Sequence, residues 1–161
     1  MTLLPLRRIL CPTDFSDRSL KAVRTGVELA RHFGARLDLL YAVPPVPASQ
    51  ALLSSDDSSL VPSFDVKGYS EHLKQSHETS LEEIIDREIP GSLETGRTVV
   101  FGRAAEQVVG FARENDIDLV VIATHGRSGL RRALLGSVAE QVCRLAECPV
   151  LTVRSFGRED E

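Results

Sequence analysis

The stretch Asp118-Leu119-Val120-Val121-Ile122-Ala123-Thr124-His125-Gly126-Arg127-Ser128-Gly129, carried on to Gly136-Ser137-Val138-Ala139-Glu140-Gln141-Val142, decides the fold. Its first part is a continuous apolar run and reads as a strand buried on both faces. Its last part reads as the start of a helix. A glycine-bearing loop lies between them. Strand, glycine loop and Gly-Ser at a helix N-terminus together make an anion-binding arrangement. The glycines let backbone N–H groups approach an anion, and the helix end supplies orphan donors and a positive partial charge. Arg127, Arg131 and Arg132 either add positive charge near this loop or form a solvated face.

Outward from this stretch, strand and helix patterns alternate along the chain. Arg8-Ile9-Leu10-Cys11 is a short strand stopped by Pro12. Ser16 is placed as an N-cap, followed at helical spacing by Leu20, Val23, Val27 and Ala30. Gly34 ends that helix, and residues 37–43 form a second strand. Residues 67–88 are helical, with Tyr69, Leu73, Leu81, Ile84 and Ile85 as the apolar stripe, and Pro90-Gly91 terminates them. Thr98-Val99-Val100-Phe101 is a third strand, and Ala105, Val108, Val109 and Ala112 mark a third helix. A fourth helix covers 136–146, with Val138, Val142 and Leu145 inward. Pro149-Val150-Leu151-Thr152-Val153 is the fifth strand. Residues 44–66 are rich in Pro and Ser and form a variable loop without a sustained period. The charged tail after Arg154 is expected to fray.

Strands alternating with helices of this length imply right-handed βαβ units. The expected fold is α/β: a doubly wound, five-stranded parallel sheet with helices on both faces, Rossmann-like, in one domain over 1–161. Ligands bind such sheets beyond the carboxyl ends of the strands, where strand order reverses. Two loops qualify: Pro12-Thr13-Asp14-Phe15-Ser16 after strand one, and 124–137 after strand four.

Bulk properties narrow the function classes. The chain has 161 residues, 42% of them hydrophobic and 26% charged, which suits one soluble domain with a real core. A net charge of −4 argues against a broad phosphate-neutralising face, so no nucleic-acid partner is expected. No stretch is long and apolar enough to span a membrane. The three cysteines, Cys11, Cys143 and Cys148, form no paired framework, which fits a reducing compartment. The N-terminal run is the reverse of a secretory signal. Together these features lead to a cytoplasmic expectation. No His/Cys/carboxylate spacing suggests a metal site.

Single residues carry two readings each. The Asp14 carboxylate, just past strand one, suits ribose hydroxyls as an acceptor, or it caps the turn with Ser16 and Asp17. Ser137 either satisfies an N–H group at the start of helix four or bonds a phosphate. His125 touches a phosphate or shapes the turn, with the turn preferred. His77 falls between Leu73 and Leu81 and is read as a packing histidine. Cys143 and Cys11 are read as small core residues. Cys11 is the one cysteine near the proposed pocket, where a site-facing thiolate would be redox-sensitive.

The segments Cys11-Pro12-Thr13-Asp14-Phe15-Ser16, Tyr41-Ala42-Val43, 123–140 and Cys148-Pro149-Val150-Leu151-Thr152-Val153 closely resemble the universal stress protein family, in order and across 7–154. The resemblance implies an adenine-nucleotide α-hydrolase-like fold that binds ATP, or AMP or ADP, with Mg²⁺ on the phosphates. The ATP-binding branch carries Gly, two residues, Gly, nine residues, Gly, then Ser or Thr. Gly126, the nine-residue gap, Gly136 and Ser137 match it. Ala123 stands where the first glycine belongs, and its Cβ disfavours positive φ. By this resemblance Pro12 and Val43 line the adenine pocket, and Asp14 holds ribose with Thr13 beside it. Ala123, His125, Gly126, Arg127, Gly129, Gly136, Ser137 and Val138 surround the phosphates.

The resemblance further implies a homodimer through 149–153 and a stress sensor or regulator acting through an unidentified protein partner. Hydrolysis would be slow at most, because the loop lacks a Walker-type lysine. The alternative is an interaction module of the same fold that binds no nucleotide, for which Ala123 is the main support. A Rossmann dehydrogenase would need glycines between Cys11 and Asp17. A receiver domain would need a phosphorylatable aspartate on a later strand and a lysine after strand five. An ATP-pyrophosphatase would need a Ser/Gly-rich first loop.

Overall fold

The computed structural model describes residues 5–45, 66–124 and 136–154. Five strands, β1 (Arg8–Pro12), β2 (Arg36–Val43), β3 (Thr95–Phe101), β4 (Leu119–Ala123) and β5 (Val150–Val153), alternate with four helices. These are α1 (Asp17–Phe33), α2 (Val66–Glu88), α3 (Ala104–Glu114) and α4 (Ser137–Leu145). All pairings are parallel, in the order β3-β2-β1-β4-β5. The chain winds outward from β1 to β3, then crosses to β4 and continues to β5. The order therefore reverses between β1 and β4, as a doubly wound sheet requires.

Side chains alternate across the sheet and divide the core in two. Ile9, Cys11, Leu37, Leu39, Val99 and Val121 meet α1 and α2 on one face. Leu10, Leu40, Val120 and Ile122 meet Ala105, Val108 and Ala112 of α3 and Ala139 and Val142 of α4 on the other. Local signals fix α1: the Ser16 hydroxyl accepts from the Ser19 N–H, and Gly34 closes the helix in the left-handed region.

Four assignments from sequence are corrected. On α4 the inward stripe is Ala139, Val142 and Ala146, whereas Val138 and Leu145 are exposed. The apolar spacing fits either stripe, and the small alanines are the ones that fit against α3 and the sheet. Tyr69, in the first turn of α2, is exposed, and that helix buries Leu81 and Ile84 further along. Cys143 is exposed rather than core. β3 begins at Thr95, three residues before the apolar run, because its polar start pairs with β2 at the sheet edge.

At the amino ends of the strands, Asp38 is buried between two arginines. Its carboxylate lies 2.9 Å from Arg8 Nη2 and 3.0 Å from Arg36 Nε. Gly96 on the neighbouring strand leaves room, since a Cβ there would overlap Asp38 Oδ1. Arg8 Nη1 also donates to the Asn115 carbonyl at 2.6 Å. Asp118 Oδ2 accepts the Arg7 and Arg8 amides at 2.7 and 2.9 Å. Only Asp38 is buried, the two arginine side chains being 30% and 35% exposed, so losing one of them costs less than the about 3–5 kcal/mol of a fully buried pair. This network locks the closed end of the sheet and leaves the carboxyl edge for a ligand.

Candidate functional site

The β1–α1 loop is built by its own polar side chains. The Thr13 amide donates to the Leu40 carbonyl at 2.9 Å, which ties the loop to β2. The buried Thr13 hydroxyl lies 2.9 Å from Ser19 Oγ and accepts the Phe15 amide at 3.1 Å. Asp14 Oδ1 accepts the Ser16 amide at 3.1 Å and the Ser16 hydroxyl at 2.5 Å. Asp14 thus makes the Asx turn that one of its two sequence readings expected.

Phe15 adopts φ 64°, in the left-handed region. A bulky residue there costs roughly 1–2 kcal/mol. Its ring lies 4.6 Å from the Tyr41 ring of β2 and 5.9 Å from the His77 ring of α2, and His77 lies 4.4 Å from Tyr41. Each such pair contributes about 0.5–1.5 kcal/mol beyond its buried area, enough to offset the strained backbone. His77 is therefore a packing histidine, as its spacing suggested. Burial pushes its pKa below the ordinary imidazole value. The sequence signal for this cluster is indirect: three rings on three separate elements, none of which belongs to the phosphate motif.

Across the reversal point, Ala123 is the last residue of β4, in register with Val153. It is an extended ladder residue, so a Cβ here demands no left-handed backbone, and Ala123 packs on the α1 side of the sheet. The buried Thr124 donates its amide to the Val153 carbonyl at 3.1 Å, and its own carbonyl accepts the Gly136 amide. That bond joins the end of β4 to the start of α4. Gly136 is the N-cap of α4, with no side-chain capping bond, and Ser137 is the first helical residue rather than the cap. Glu140 is the acidic residue in the first turn.

The strand pairing brings Pro12, Thr13, Asp14, Val43, Ala123, Gly136, Ser137 and Val138 to the carboxyl edge of one sheet. Val43 is buried, and its carbonyl accepts the Gly102 amide at 2.9 Å. His125, Gly126, Arg127 and Gly129 lie outside the described residues. Cys11 is the small core residue expected from its sequence, and not a site-facing thiolate. It is wholly buried against α1, its Sγ is 3.9 Å from the Ala22 carbonyl, and burial pushes its thiol far above the usual range. Among the described residues no group of three or more His, Cys, Asp or Glu side chains is placed to hold a metal ion, and no helix is long and apolar enough to cross a membrane.

A doubly wound sheet with a polar loop after β1 and a glycine-capped helix after β4 defines a class of α/β proteins with a cleft at the reversal point. The universal stress protein family model matches residues 5–154, and this chain belongs to that family. Universal stress protein MJ0531 of Methanocaldococcus jannaschii is 33% identical over 153 residues, covering 95% of this chain and 85% of the relative. The solved structure of MJ0577 from the same organism superposes with a TM-score of 0.76, at 22% identity, over 94% of this chain and 98% of that one. A universal stress protein from Archaeoglobus fulgidus in complex with dAMP superposes with a TM-score of 0.58, at 21% identity, over 92% and 98% of the two chains.

Proposed function

We propose that this chain is a nucleotide-binding universal stress protein that holds ATP, AMP or ADP between the β1–α1 loop and the N-terminus of α4. The observation that carries this reading is the placement of Asp14 after β1 and of the Gly136-capped helix after β4, at the reversal point between those adjacent strands, with Thr124 tying the end of β4 to that helix. A glycine at the N-cap puts no side-chain oxygen over the first turn, which suits an anion there. The dAMP complex of the Archaeoglobus relative supports the ligand class. Asp14 would hold ribose, with Thr13 beside it. Pro12 and Val43 would flank the base, and Ala123, Gly136, Ser137 and Val138 would frame the phosphates together with 125–129. Mg²⁺ would arrive on the phosphate oxygens and neutralise their charge. The sequence of 125–135 contains no lysine, so the protein is expected to hold the nucleotide with little or no hydrolysis and to act as a sensor or regulator. Pairing of a second copy along β5 would make a homodimer.

The second reading is an interaction module that binds no nucleotide. The engagement of Asp14 Oδ1 by Ser16 favours it. Thermal shift and calorimetry with Mg-ATP, ADP and AMP separate the two. A ligand at about a hundred times its Kd stabilises the native state by roughly 2.7 kcal/mol. Asp14→Asn keeps the turn acceptor and loses the charge, and Gly136→Ala keeps a φ of −66° that alanine adopts freely. Both variants are expected to melt near the parent temperature and to bind at least tenfold more weakly. No shift of the parent with any of the three nucleotides would establish the second reading.

A further inference from the structure

The ring cluster of Phe15, Tyr41 and His77 stands beside the proposed ribose ligand without belonging to the nucleotide motif. Phe15 directly follows Asp14, and its left-handed φ accompanies its own amide donating to Thr13 Oγ1 and the Ser16 amide donating to Asp14 Oδ1. The two rings that hold it come from β2 and α2, so three separate elements converge on one backbone conformation. We propose that Tyr41 and His77 are positioning residues, whose rings keep Phe15 left-handed and thereby fix the Asp14 carboxylate for ribose. This inference rests on the nucleotide reading.

One of the two holding rings titrates, and that gives the cluster a signature that an inert packing contact lacks. The groups that face His77 are the Tyr41 ring from β2 and the uncharged Phe15 ring from the β1–α1 loop. On the packed side of β3, Arg97 is taken up by Glu82 at 3.4 Å, and within α2 Lys74 pairs with Glu78 at 3.8 Å. The low pKa of His77 arises from burial, so the ring is neutral when stacked. Protonation favours a solvated imidazolium and withdraws the ring from Phe15 and Tyr41. The Asp14 turn then loosens below neutral pH.

Two measurements test this. In the nucleotide-free protein, the Asp14, Phe15 and Ser16 amides are followed by ¹⁵N–¹H NMR from about pH 8 to about pH 5. All three are expected to shift with the His77 imidazole midpoint in the parent, and to stay fixed in His77→Phe, which keeps a ring and removes the titration. Amides that ignore the His77 midpoint overturn the proposal. Second, Mg-ATP affinity is measured for the parent, His77→Ala and His77→Phe, with native near-UV circular dichroism checked for each. His77→Ala is expected to bind about five- to tenfold more weakly at pH 7.5, and His77→Phe to bind within about twofold of the parent. On acidification the parent should lose affinity faster than His77→Phe, which cancels the titration of the nucleotide's own phosphate. A parent that binds ATP and a His77→Ala variant that binds it equally well overturn the positioning role. If the parent binds no nucleotide, the nucleotide reading fails and the amide titration alone decides whether the cluster holds the turn.

Discussion

At the scale of single residues, the contact between Gly26 and Cys11 sets how closely α1 approaches the sheet. A Cβ at Gly26 would overlap Cys11 Sγ and lie 3.3 Å from Leu37 Cδ1. Both neighbours are fully buried, so neither can swing into solvent. Alanine gains about 1 kcal/mol of helix propensity over glycine. Overpacking a rigid core costs about 1–3 kcal/mol, and the overlap here is with a side chain held between helix and strand. Gly26→Ala is therefore expected to lose about 1–2 kcal/mol net in urea denaturation. Adding Cys11→Ala should recover most of that loss, because it removes the overlapping sulfur. A single variant as stable as the parent would show that α1 shifts freely. In the sequence Cys11 reads as a small core residue that nonetheless ends a strand near the proposed pocket. Strand alternation turns it to the α1 face, and which face a strand-end residue takes is hard to assign without its partners.

At the scale of elements, a charged clamp joins α1 to the end of α2. Glu88 accepts from Arg24 Nε at 2.7 Å and Nη2 at 3.0 Å, and from Arg87 Nε at 3.0 Å. The hydrogen bonds from Arg24 and then Arg87 hold its carboxyl at about 2, below the usual 4.5. The folded state therefore binds this proton less readily than the unfolded chain. The stabilisation is complete above about pH 4.5 and fades as the pH falls toward 2. Arg24 is more than half exposed, so the pair is worth at most about 1 kcal/mol at neutral pH. In urea melts across this window, Glu88→Gln should give a shallower loss of stability with acid than the parent. Identical slopes would assign the acid sensitivity to other carboxylates. The helix ends were legible because caps are local: Ser16 and Gly34 act through neighbours within one turn. The clamp was not legible, because Arg24 and Glu88 are 64 positions apart and each reads alone as surface charge.

At the scale of the whole molecule, the alternation of apolar runs and helical periods was enough to give a doubly wound sheet. The order β3-β2-β1-β4-β5 depends on long-range pairing that no window of sequence contains. The candidate site was half legible. Asp14, Gly136 and Ser137 follow from local spacing, whereas the Phe15 ring cluster needs β2 and α2 in place. The same topology leaves two edges with different chemistry. β3 carries Arg97, paired with Glu82, and charge of that kind discourages association. β5 is Val150-Leu151-Thr152-Val153, uncharged, with Leu151 exposed. The Val120 amide donates to the Pro149 carbonyl and the Thr124 amide to the Val153 carbonyl. By the alternation of a parallel ladder, the backbone groups of Val150 and Thr152 point away from β4. They form a short apolar template that a second copy of the chain can pair with. Thr152→Pro removes an outward N–H while sparing the ladder to β4, a position an edge strand tolerates. The parent is expected to sediment as a dimer at micromolar concentration and the variant as a monomer with native circular dichroism. A monomeric parent, or a variant that stays dimeric, would move the interface away from β5.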